Sequence, residues 1–144
     1  MEKNDSKEVS DFEKDFDLAE TGDAKAMIAV AHRYYYGVGV NVDKSQSFAW
    51  YNKAASIGSG DALWSLANFF YLSGDVVAKD PAEGERLLKE AFSTFLNLAN
   101  QGDACSQNAL GNLLSRGEGV AKSYEQALEW YRLSAGNGNI WSMY

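Results

Sequence analysis

A chain of 144 residues with 46% hydrophobic content and a single proline holds one domain's worth of core, and its wealth of Ala, Leu and Glu favours helix. The net charge of -7 is unevenly placed: residues 1–23 carry nine acids against three lysines, so the remainder is close to neutral. That distribution argues against nucleic acid as a partner, since phosphate binding needs a basic face, and no apolar run reaches membrane-spanning length, so no membrane partner is expected.

The opening MEKNDSKEVSDFEKDF has no apolar signal-peptide core. As written it predicts a cytoplasmic location, or a periplasmic or secreted one if a leader has been removed. The first few residues are polar and expected to fray. From about Val9, Phe12, Phe16 and Ala19 share one helical face with acids opposite, so residues 1–21 read as an acidic tail and capping helix. Gly22-Asp23 then marks a turn and a helix N-cap. The helix runs to about Tyr36, with Ala26, Val30, Ala31 and Tyr34 stacked on one side. Gly37-Val38-Gly39 ends it. Asp43 caps a second helix beginning at Lys44 or Ser45, which carries Phe48, Trp50, Tyr51, Ala54 and Ala55 and closes at Gly58.

This unit is written again. Gly37, Gly39, Val40, Trp50, Tyr51 and Gly58 return as Gly117, Gly119, Val120, Trp130, Tyr131 and Gly138, and Gly22-Asp23-Ala24 as Gly102-Asp103-Ala104. A looser copy lies between. Ala62, Leu66, Ala67 and Phe70 match at an offset of 36, but Gly74, Val77, Asp80 and Ala91 at 37, so one residue is inserted near the end of the first helix. Val76 replaces the second turn glycine, Leu87-Leu88 replace Trp-Tyr, and Pro81 suits the first turn of the second helix. AFSTFLNLANQG delays the closing glycine by seven residues, two helical turns, which keeps the apolar face in register. The third copy is regular, with Ser106, Leu114 and Ser123 at the Ala, Tyr and cap positions. The divisions expected are 22–57, 58–101 and 102–138, with 139–144 starting a fourth helix. Weak self-association through that exposed stub is expected.

The set Ala26, Val30, Ala31, Tyr34, Gly37, Gly39, Val40, Asp43, Trp50, Tyr51, Ala54, Ala55 and Gly58 resembles the Sel-1-like repeat, a short relative of the tetratricopeptide repeat, over about 22–138. The resemblance implies an all-α, right-handed superhelix of antiparallel helix pairs, used as a non-enzymatic scaffold or adaptor. It also implies an alternative, since some cysteine-rich relatives bind or slowly hydrolyse β-lactams. Those relatives pair cysteines between helices, whereas Cys105 is alone here. A further alternative is a purely structural segment of a longer array.

In such a stack the free side of each first helix lines a concave groove that takes an extended protein or peptide partner. On the first repeat the side opposite Ala26, Val30 and Tyr34 carries Lys25, Ile28, His32, Tyr35 and Tyr36. At the offset of 36 it reads Asp61, Trp64, Asn68 and Tyr71. At 80 it reads Asn108, Asn112 and Arg116 beside Cys105, and Trp141 and Tyr144 would extend it. Tyr35, Tyr36, Trp64 and Tyr71 stand where the motif asks for no aromatic, and Tyr, Trp and Arg dominate binding hot spots. The asparagines offer donors and acceptors to a peptide backbone. The competing reading is a stack that curves on itself and buries some of these rings. Trp50, Tyr51, Trp130 and Tyr131 read as core. His32, the sole histidine, meets a partner or is simply solvated; a paired-histidine metal site is excluded. GVGV and GEGV lack the Lys-Ser/Thr and the preceding strand of a phosphate loop. No catalytic residue, metal or cofactor is therefore expected.

Overall fold

Five helices begin where a short polar side chain takes up a backbone N–H that would otherwise lack a partner. Asp23, Asp43, Ser59, Asp103 and Ser123 accept from the N–H of Ala26, Gln46, Ala62, Ser106 and Gln126. In the computed structural model, which describes residues 3–137, the elements are α1 (Lys3–Glu20), α2 (Ala24–Tyr36), α3 (Lys44–Ser56), α4 (Gly60–Leu66), α5 (Pro81–Asn100), α6 (Ala104–Arg116) and α7 (Tyr124–Gly136). α4 continues without a break into a π-helical turn over Ala67–Tyr71. No strand occurs among the described residues, and the chain is all-α, built of antiparallel helix pairs. The expected fourth-helix stub lies outside the described residues. α1 starts at Lys3 rather than near Val9, because a polar first turn leaves no apolar stripe in the sequence to reveal it.

Two compact units divide the chain, Met1–Asp80 and Pro81–Tyr144. In the first, α1 packs on α2, α2 on α3 and α3 on α4. Ala26, Val30, Ala31, Trp50, Tyr51, Ala54, Leu66 and Phe70 are buried. Phe12 of α1 meets Tyr34 edge-on at 5.3 Å and Phe16 meets Trp50 at 5.6 Å, so the apolar stripe of α1 closes over the first helix pair. In the second unit α5 packs on α6 and α6 on α7 around Leu87, Leu88, Ala91, Leu110, Leu113 and Leu114. There the buried Gln107 amide donates to the Ala99 carbonyl and accepts from Asn137, and the Ser134 hydroxyl donates to the Ala104 carbonyl. α5 has 20 residues against 13 in α3 and α7, the two added turns anticipated from its delayed glycine.

In each repeat one backbone bond runs from the residue just before the second helix to a carbonyl near the end of the first. Asp43 N–H donates to Tyr34, Asp80 to Tyr71 and Ser123 to Leu114, at 2.8, 2.9 and 2.9 Å. Cap and closure thus pin both ends of the first helix in every repeat. Eleven residues separate Asp23 from Tyr34 and Asp103 from Leu114, but twelve separate Ser59 from Tyr71. A regular helix of fixed length has no place for the twelfth, and the π-helical turn absorbs it.

The turns show a related conflict. Gly39 (φ 77°) and Gly119 (φ 72°) lie against backbone, and an added Cβ would overlap the carbonyls of Glu8 and Leu88 respectively. Only glycine fits such an approach. The corresponding residue of the middle repeat is Val76, which keeps the positive φ, 68°, within a tight turn closed by Val77 N–H to the Asp75 carbonyl at 2.7 Å. A β-branched residue there is strained. Val76→Gly is expected to stabilise the protein by about 1 kcal/mol. Gly39→Ala is expected to cost about 3 kcal/mol through overlap with α1. Urea midpoints at unchanged m-value check both signs.

Candidate interaction face

The free side of α2 meets the π-helical end of α4 at Phe69 and, through Tyr35, at the buried Phe70. Tyr35 stacks on Phe69 at 5.0 Å and 25°, Trp64 approaches edge-on at 5.9 Å and His32 at 6.2 Å. Tyr36 joins through Tyr35 at 4.9 Å and lies roughly parallel to the His32 ring at 6.4 Å. These rings are half-buried, except that Tyr36 is 60% exposed. Four of the expected residues, His32, Tyr35, Tyr36 and Trp64, are therefore brought together. The ring that joins them was not among the expected residues. The only sequence signal for it was the change of offset from 36 to 37, which falls between Phe70 and Gly74.

Tyr71 does not join this cluster. Its ring faces Phe48 at 6.1 Å, as the ring of Tyr34 faces Phe12, and its carbonyl takes the closure bond that Tyr34 takes in the first repeat. The inserted residue moves Tyr71 from the place of Tyr35 to the place of Tyr34. The Asn68 amide donates to the Trp64 carbonyl of its own helix at 3.1 Å. Towards the other end of α2, Lys25, Ile28 and Asp61 line a depression of about 140 Å³ together with Ala24 and Ser59.

Tyr35 is held from a second direction. The Lys44 ammonium lies 4.9 Å from its ring centre and forms a 2.8 Å ion pair with Asp75, a residue of the strained turn before Val76. The ion pair holds the lysine in its charged form with the ammonium over the ring.

The second unit places its own three candidates on α6. Asn108 is half-buried and Arg116 is exposed, 3.6 Å from Glu118. Asn112 Oδ1 accepts from the Tyr131 hydroxyl at 2.6 Å. This bond has a counterpart in the first unit, where the fully buried Tyr51 hydroxyl meets His32 Nδ1 at 2.8 Å. Thus Tyr51 and Tyr131 tie the second helix of a pair to the free side of the first, and His32 and Asn112 are partly spent on that tie. Cys105 is exposed at the start of α6. Among the described residues no group of His, Cys, Asp and Glu side chains could hold a metal ion, and no helix is long and apolar enough to cross a membrane.

Burial lowers the His32 pKa below its ordinary 6.5, against a smaller upward pull from Asp61. Burial also pushes the Tyr51 phenol far up, so it stays protonated and can donate to Nδ1 of the neutral imidazole. With the folded pKa below the unfolded one, the unfolded chain binds the proton more readily. Stability is then full above the ordinary histidine range and declines as pH falls through it towards the folded pKa. The imidazole resonances of this sole histidine should titrate below the ordinary value in an NMR titration. Between about pH 7.5 and 5.5 the urea midpoint should fall, and His32→Asn, which copies the Asn112–Tyr131 pairing, should reduce that fall.

The Sel1 repeat family matches residues 24–59, 60–93 and 106–139. Among solved structures, a Sel1 repeat protein from Oxalobacter formigenes aligns at 25% identity with a TM-score of 0.57, covering 93% of this chain and 51% of its own. A protective antigen present in uropathogenic Escherichia coli strains, displaying an SLR fold, aligns at 27% identity with a TM-score of 0.51, covering 91% and 34%. The chain therefore spans about half the length of the first relative and a third of the second. No curated protein sequence matches it. With three matched copies over most of its length, the chain belongs to the Sel1 repeat family, whose repeats generally serve as protein-interaction scaffolds.

Proposed function

We propose that this protein is a non-enzymatic interaction module that binds an extended segment of a partner protein along the free side of α2 and α4. One observation carries the reading: His32, Tyr35, Tyr36, Trp64 and Phe69 form a continuous, partly exposed ring cluster at positions where the repeat requires no aromatic. Tyrosine and tryptophan offer large contact area with few rotatable bonds and a polar edge for hydrogen bonding. The rings are already fixed by one another and by Lys44, so little side-chain entropy is lost when a partner docks. The depression between Lys25 and Asp61 would receive a further side chain of the same segment, with a charge of either sign at hand. Asn108 and Arg116 give α6 a polar surface of its own for a partner.

The test is a peptide selected from a short random display library against the full chain. Tyr36→Ala and Trp64→Ala are each expected to weaken it by about 2 kcal/mol, some thirtyfold, with helical content by circular dichroism unchanged. Undiminished affinity in both variants would sink the assignment.

A further inference from the structure

The middle repeat departs from its neighbours at two places, and both departures border the same ring cluster. The inserted residue creates the π-helical turn over Ala67–Tyr71, whereas α2 and α6 run as unbroken α-helices of 13 residues. Val76 occupies a glycine position at positive φ, beside the Asp75 that holds Lys44 over Tyr35. π-helical turns and strained backbone both concentrate at functional sites.

The consequence for Phe69 follows from counting along the helix. Measured from the N-cap, Phe69 stands ten residues after Ser59, as Arg33 stands ten after Asp23. Arg33 turns towards α1, where it pairs with Asp15 at 2.9 Å. Measured back from the closure bond, Phe69 instead corresponds to His32, which lies on the free side. One residue is about 100° of rotation in a helix of 3.6 residues per turn. The π-helical turn therefore brings Phe69 to the side that carries Tyr35 and Trp64, where it also meets Tyr51 of α3 edge-on at 6.1 Å.

We infer that Phe69 is a specificity-determining residue of the interaction face, and that the inserted residue is the device that presents it. The inference rests on the docking reading given above. The occupant is an extended segment of another protein that seats one apolar side chain, aliphatic or aromatic, against Phe69 and Trp64. An apolar anchor fits because Phe69 and Trp64 offer ring surface, the Lys44 ammonium over Tyr35 is paired with Asp75, and burial disfavours a charge on His32.

Three variants separate this inference from the reading beneath it, each tested with the library-selected peptide and its single-alanine derivatives. Phe69→Leu keeps the turn and much of the volume but removes the ring. Deletion of Asn68 keeps every aromatic residue but restores the regular helical count. Tyr36→Ala reports on the face as a whole. Phe69→Leu and the deletion should each weaken the peptide about tenfold or more. The peptide position whose alanine substitution matters most in the parent should matter little in either variant. If Tyr36→Ala abolishes binding while Phe69→Leu leaves both affinity and anchor preference intact, Phe69 has no selective role and the docking reading stands. If none of the three alters binding, the docking reading fails and this inference with it. Should the deletion variant not fold, Phe69→Leu alone decides.

Discussion

The backbone bond that ends the first helix of each repeat governs most of what distinguishes this chain. Asp43 to Tyr34, Asp80 to Tyr71 and Ser123 to Leu114 have nearly equal lengths in three sequences that differ widely in side chains. Polar caps fix the other end of each first helix. A helix pinned at both ends tolerates substitution along its length but has no slack in residue number. An extra residue must then be taken up inside the helix, where a π-helical turn costs less than an unsatisfied cap or closure. The position of Phe69 in the ring cluster is the outcome of that competition.

A second constraint ties the core to the free surface. Tyr51 is wholly buried, yet its hydroxyl reaches His32 on the free side of α2, and Tyr131 reaches Asn112 in the same way. A buried phenol favours a hydrogen-bond partner, and His32 supplies one to Tyr51 as Asn112 does to the half-buried Tyr131. Position 32 and its counterpart 112 are therefore not chosen by a partner alone. The tyrosine hydroxyl behind each position favours a polar group there, and either an imidazole or an amide satisfies it. With imidazole the face gains a ring that stacks with Tyr36 and a group whose charge is suppressed by burial.

Much of the architecture was legible beforehand because glycines and caps mark chain geometry directly. The helix limits at Tyr36 and Lys44, the caps at Asp23, Asp43 and Ser123, Pro81 at the head of α5 and its two added turns all appear as expected. The free-side rings His32, Tyr35, Tyr36 and Trp64 were also legible, since helical periodicity places them opposite Ala26 and Val30. Tyr71 and Phe69 were not. Their faces depend on where along the helix an extra residue is absorbed, and a shift of offset dates the insertion only to a stretch of several residues. A wheel drawn at constant pitch then assigns Tyr71 to the wrong side and passes over Phe69.

By itself the sequence determined the repeat, the all-helical architecture and the ends of most helices, because positive-φ glycines, capping side chains and apolar periodicity act within a few residues of where they are written. Only the tertiary structure decided which rings share a face. That outcome depends on a cap and a closure bond at opposite ends of one helix and on where the helix between them yields, and the point of yielding is not expressed by any local pattern of residues.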